Sequence, residues 1–149
     1  MTAPEVTVIV WSLTVGAGDL YAKRIPNVLT LGACLVALLW LFITGHSILG
    51  APWQSVIFAS LASQLFSLPA YAIHLLGAGD VKLLLAIALI GGKDFTLFSF
   101  VIAAVIASIS SLVQIIMARV GKRPVKMGRW FPFGAALSIG MLCAIGIMK

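Results

Sequence analysis

Acidic side chains are scarce in this chain of 149 residues. Four Asp and Glu stand against ten Lys and Arg, and charged residues make up only 9% of the chain, against about 25% in soluble domains. Hydrophobic residues reach 62%, against roughly 45–50% in globular proteins. Because so few charges could not cover the surface of a soluble domain, the composition excludes a water-soluble protein. It predicts an all-α, polytopic membrane protein.

Clustered metal ligands are also lacking. Cys34 and Cys143 lie singly in apolar stretches, without a CxxC or Cys/His cluster, which argues against a zinc site or a disulfide framework. We therefore predict no metal and no cofactor. No basic run alternates with aromatic residues, so nucleic acid is not an expected partner.

Apolar runs bounded by Gly, Pro and charge predict six transmembrane helices. Six spans of about 20 residues leave some thirty residues for loops and tails, so we predict a single membrane-embedded domain over residues 1–149. The first run has no basic segment before it, which favours a retained helix over a cleaved signal peptide. The predicted helices cover residues 6–21, 27–44, 52–76 with a bend at Pro69, 80–92, 95–117 and 131–148.

The positive charges predict how these helices are oriented. Eight of the ten fall on one side of the six-helix topology, and the positive-inside rule places that side in the cytoplasm and both termini outside it. We expect the basic loops to contact anionic lipids. The eight are Lys23, Arg24, Lys82, Arg119, Lys122, Arg123, Lys126 and Arg129.

Two of the four acids fall at one depth in this topology. Asp19 ends the first predicted helix and Asp80 begins the fourth, and these two helices are antiparallel. The fourth helix is only about 18 Å long, against a hydrocarbon core of about 30 Å, so Asp80 is expected in a water-filled recess. Ionisable groups inside a membrane are costly and commonly functional. Two carboxylates that share one proton can activate a water and polarise a peptide carbonyl.

Simpler interpretations of both residues remain open. Asp19 is four residues from Lys23 and could form an ion pair along a helix. Asp80 follows a Gly-Ala-Gly segment at a helix start and could be an N-cap. The chain would then be a non-enzymatic membrane protein, such as a pilus or secretion assembly subunit or a transporter, with the two Asp in ion-pair or proton-relay roles.

The motifs around these acids resemble those of a known family. The segment GAGDVKLL at 77–84 is similar to the GxGD signature of intramembrane aspartyl proteases, in the GxGDxKLL form typical of type IV prepilin peptidases. Asp19 followed by RIPN at 24–27 resembles the first motif of that family. Pro132-Phe133-Gly134 resembles the PFG motif that opens the last helix, with Ala135 where many members have proline.

The resemblance implies a function and a set of site residues. It implies cleavage of a short basic leader from prepilins or pseudopilins, after a glycine, at the cytoplasmic face of a prokaryotic inner membrane. Nothing here matches the methyltransferase domain of bifunctional members, so the chain is similar to the short peptidases of tight-adherence (Flp) pili. Ordinary signal peptides are an alternative substrate class. Asp19 and Asp80 would be catalytic, and the supporting residues would be Gly77, Gly79, Lys82, Arg24, Pro26 and Asn27.

Overall fold

A computed structural model describes residues 2–22, 26–74, 76–120 and 133–148 of the chain. These residues form helices and short connections, and no strand occurs among them, so the all-α prediction is confirmed. The helices are α1 (Ala3–Ala22), α2 (Asn27–Thr44), α3 (Trp53–Ala72), α4 (Ala78–Val120) and α5 (Phe133–Ile147).

The boundaries of α2 agree with the sequence prediction, because both ends carry local signals. Pro26 precedes the helix with φ −59°, which suits the entry to a first turn. Gly45 follows the helix with φ 73° and donates its backbone N–H to the carbonyl of Leu41. Glycine adopts this left-handed conformation without the steric cost that a side chain brings.

The end of α3 differs from its predicted position. The helix ends at Ala72 rather than continuing to residue 76, with Pro69 inside its last turn. His74 has φ 61° and donates its backbone N–H to the carbonyl of Tyr71. A left-handed residue cannot continue a right-handed helix, so the prediction from apolar content alone is wrong by one turn.

The fourth and fifth predicted helices form one helical stretch that is broken at a single residue. Gly92 has φ 74° and ψ −165° inside α4. A Cβ at this position would lie 2.7 Å from the Ala51 Cβ, so both the backbone angles and the space require glycine. The Lys93 N–H after the break donates to Ser55 Oγ at 2.9 Å. The break divides α4 into a first segment, residues 78–91, and a second segment, residues 93–120.

The broken helix is the centre of the packing. It contacts α2, α3 and α5, and α5 also contacts α1. The second segment runs antiparallel to α5, since Ser99 lies against Gly140 while Phe95 and Ile145 line one cavity further along. Small residues such as Ala37, Ala59 and Ala86 are fully or almost fully buried at the helix contacts, as is common where helices pack in lipid.

The outer surface of the helices is apolar. Phe42, Ile43, Leu65 and Phe66 are each more than 70% exposed, and large exposed apolar surfaces mark sites of contact with proteins or membranes. Three helices of the described residues, α2, α3 and α4, are long and apolar enough to cross a bilayer, and α5 is a shorter apolar helix. The chain is therefore a membrane protein. Six crossings and the side on which the termini lie stay predictions.

Candidate active site

Asp19 lies in the last turn of α1 and is only 6% exposed. Its Oδ2 accepts a hydrogen bond from the backbone N–H of Ala135, at 2.9 Å. Ala135 is the third residue of α5, and the first four N–H groups of a helix have no partner within the helix. The carboxylate thus satisfies one of these amides, at the helix end that attracts negative charge.

Asp80 lies at the start of α4 and is partly buried. It is the third residue of the helix, and its Oδ2 accepts a hydrogen bond from the backbone N–H of Gly77 at 3.0 Å. The Gly77 carbonyl in turn accepts the Val81 N–H at 3.1 Å. This is the acidic half of a capping box, in which the third residue reaches back to the cap. Asp80 is therefore not the N-cap residue itself, and Gly77 has that position.

Two of the predicted supporting residues meet across the fold. Lys82 Nζ donates a hydrogen bond to Asn27 Oδ1 at 3.0 Å, although 55 positions separate them in sequence. Asn27 is the first residue of α2, and Lys82 lies in the first turns of α4. This contact joins the motif around Asp80 to the motif that follows Asp19.

The end of α1 also contacts the start of α2. A Cβ built on Gly18 would lie 3.9 Å from Pro26 Cδ, so the proline ring packs close to the α1 backbone beside Asp19. Deeper in the bundle, Trp11 Nε1 donates to the Leu29 carbonyl at 3.1 Å. Pro26 is thereby placed next to the turn of α1 that carries Asp19.

These contacts bring both aspartates to one end of the bundle. Asp19 accepts a hydrogen bond from the N-terminal turn of α5, and the end of its own helix lies beside Pro26, directly before α2. The start of α2 is bonded through Asn27 to the first turns of α4, which carry Asp80. Gly92 lies at the other end with the connection between α2 and α3. The alternating direction of successive helices predicted that Asp19 and Asp80 lie at the same end, and the side-chain contacts agree with that prediction.

The two glycines of the predicted motif lie directly before Asp80, and several of the predicted basic residues lie outside the described ranges. Gly77 is buried and Gly79 is half-buried, both in the turn before Asp80. Lys23, the predicted ion-pair partner of Asp19, and Arg24 lie outside the described residues. Most of the basic segment at 119–129 also lies outside them.

Among the described residues, the cavities that border α4 include two that lie in other parts of the molecule. One, of about 820 Å³, opens at the end opposite the aspartates, where Glu5, Lys93 and Asp94 line it. The second, of about 280 Å³, is an apolar groove along α3 and both segments of α4, and Leu84 lines it one turn beyond Asp80. Neither cavity is lined by Asp19 or Asp80. The described residues contain no group of three or more metal-ligating side chains.

The contact between Lys82 and Asn27 predicts a measurable coupling. Lys82→Met and Asn27→Ala should each lower the free energy of unfolding by about 0.5–1.5 kcal/mol, because each removes the same partly exposed hydrogen bond. The double variant should lose no more than the larger single loss. Unfolding of the three variants in detergent measures this cycle. Lys93→Met, at the other end of the bundle, controls for loss of a lysine charge, and strictly additive losses would contradict the contact.

Sequence reasoning missed the backbone group that contacts Asp19. Ala135 carries no chemistry in its side chain, and 116 positions separate it from Asp19. The available signal was the PFG-like segment, which marks a helix start. The start of a helix carries amides that need acceptors, but only the tertiary structure shows which acceptor is near.

Comparison with known proteins adds one finding. A sequence model described as the type IV leader peptidase family matches residues 6–112 of the chain. The match includes both Asp19 and Asp80 and ends before α5. No curated protein and no solved structure matches the chain significantly.

Proposed function

The chain belongs to the type IV leader peptidase family, and we propose that it is an aspartic-type endopeptidase acting on prepilins or pseudopilins. The proposed reaction removes a short basic leader after a glycine. The observation that carries the proposal is the contact network that holds Asp19 and Asp80 at one end of the bundle, since a two-carboxylate mechanism needs both at one depth. The family match, which spans both residues, supports the same assignment.

The proposed chemistry uses the two carboxylates and one water. One carboxylate is ionised and takes a proton from the water as its oxygen attacks the scissile carbonyl carbon. The other is protonated and donates a hydrogen bond to the carbonyl oxygen, on which negative charge develops. The tetrahedral intermediate collapses as the leaving amine is protonated and the C–N bond breaks. Because the pair shares one proton, the roles of acid and base belong to the pair rather than to either residue.

The proposed setting is the inner membrane of a prokaryote, crossed six times, with the aspartates at the cytoplasmic face. The asymmetry of Lys and Arg supports this orientation. The basic segment at 119–129 is proposed to contact anionic lipid headgroups, because a positive loop would repel a basic leader. Asp19 and Asp80 both accept backbone N–H groups, so purely structural roles are the competing account, and asparagine variants separate the two.

Coexpression with a candidate prepilin tests the proposal. The full chain should shorten the prepilin, seen as a mobility shift, and sequencing of the new N-terminus should place the cut after a glycine. A matched prepilin with that glycine replaced by a bulky residue should stay uncut. Uncut prepilins of every class tried would contradict the proposal. Cleavage of an ordinary signal peptide instead would assign the alternative substrate class.

A further inference from the structure

The end of α5 that faces Asp19 is held against α1 by three contacts at helical spacing. Ser12 Oγ donates to the Ser138 carbonyl at 3.0 Å in a buried contact. A Cβ on Gly16 would lie 3.0 Å from Ser138 Cβ, so the two backbones approach closely there. Asp19, three residues further, accepts the Ala135 N–H. Residues 12, 16 and 19 lie on one face of α1, and this face fixes the helix against α5.

The Asp19 carboxylate is therefore restrained from two sides. Its backbone is fixed by the packing of α1 on α5, and its Oδ2 is fixed by the Ala135 amide. Asp19 and Ala135 are each only 6% exposed, so water competes little for the hydrogen bond between them. A reacting group must be held close to its productive geometry, because small displacements reduce the rate strongly.

We propose that the backbone N–H of Ala135 is a positioning group for Asp19, which makes residue 135 a determinant of the turnover rate. The inference rests on the proposed function of Asp19 and extends it to a helix outside the matched family region. Many members of the family that the motif resembles have proline at this position and so lack this N–H, which makes the contact a feature of this chain and not of the family motif. We therefore expect the turnover rate to depend on the backbone N–H of residue 135 and much less on its side chain.

Ala135→Pro removes the donor, and its Cδ takes the place of the amide hydrogen that Asp19 Oδ2 accepts, so the carboxylate must also move away. Proline is tolerated in the first turn of a helix, and Gly134 before it is the residue type that best accepts the restriction that proline imposes. We expect Ala135→Pro to lower kcat roughly tenfold to a hundredfold on a leader peptide. KM should stay within about twofold, since binding is not affected. Ala135→Gly keeps the N–H, and its kcat should stay within about threefold of wild type.

The kinetic result distinguishes positioning from a general loss of structure. A merely structural role would lower kcat in proportion to the folded fraction in both variants, and unfolding in detergent measures that fraction. A kcat of Ala135→Pro equal to that of Ala135→Gly would overturn the inference. Wild-type protein that cleaves no prepilin would instead contradict the proposed function.

A second measurement tests the hydrogen bond without relying on activity. In detergent-solubilised full-length protein labelled with ¹⁵N-alanine, Ala135→Gly identifies the Ala135 amide resonance by its disappearance. Asp19→Ala should move that amide proton upfield, because its acceptor is lost. Asp19→Asn should move it less, because the amide oxygen still accepts. An Ala135 resonance unchanged in Asp19→Ala would overturn the inference whether or not the wild type cleaves prepilin.

Discussion

Asp19→Asn and Asp80→Asn are each expected to abolish prepilin cleavage. Asparagine neither takes a proton from water nor donates one to a leaving amine, and general acid–base groups of this kind contribute on the order of 10²–10⁴-fold. Because the two carboxylates act as a unit, the double variant should be no less active than either single one. Cleavage in the coexpression assay measures the effect.

The asparagine variants are informative because they keep the structural contacts. Asp19 accepts the Ala135 N–H and Asp80 accepts the Gly77 N–H, and a side-chain amide oxygen can accept the same bonds. Both variants should therefore remain folded in the membrane. In contrast, Asp19→Ala should also lose stability, by about 1–3 kcal/mol, because a buried donor is left unsatisfied.

Asp94→Asn is the matched control for removing one acid. Asp94 is exposed and lines the cavity at the opposite end of the bundle, so its replacement should leave cleavage unchanged. Full cleavage by either Asp19→Asn or Asp80→Asn would contradict the two-carboxylate mechanism and favour the structural account. Loss of cleavage in all three variants would show that removal of any acidic charge, or a lower protein level, causes the loss, and would not support catalysis by Asp19 and Asp80.

Gly140→Ala is expected to lower the stability of the helix bundle substantially. A Cβ at Gly140 would lie well inside the van der Waals distance of the Ser99 carbonyl oxygen. That atom belongs to the backbone of α4, so the contact can be relieved only by moving the two helices apart. Overpacking costs about 1–3 kcal/mol or more, and the better helix propensity of alanine returns at most about 1 kcal/mol. A net loss of about 2 kcal/mol should appear as a lower Tm in detergent.

Gly146→Ala provides the control within the same helix. No atom lies within 4 Å of a Cβ built at Gly146, so this variant should be neutral or slightly stabilising. Equal Tm values for the two alanine variants would contradict the close contact between α4 and α5. Because α5 also carries the Ala135 amide, Gly140→Ala should lower the rate of cleavage of the protein that remains folded.

Local signals explain why much of the helical pattern could be predicted. Pro26 and Gly45 bound α2 at the predicted residues, since fixed φ at proline and left-handed φ at glycine are properties of single residues. Gly92 was predicted to end one helix, and it breaks α4 in the structure. The prediction of where α3 ends was wrong because His74 adopts the positive φ that stops the helix. Histidine, unlike glycine, does not mark that conformation in a sequence.

Composition and the length of the apolar runs were enough to predict an all-helical membrane protein, because a helix that spans lipid needs about 20 apolar residues and must pair its backbone groups within itself. The sequence also singled out Asp19 and Asp80, because acids are rare in such a chain. The contacts of these two residues could not be predicted and became known only from the packing of the helices. The partner of Asp19 is a backbone amide 116 positions away, and Lys82 meets Asn27 across 55 positions. Such contacts depend on how helices pack, and backbone donors are the same in every residue type except proline, so no sequence pattern specifies which one is used.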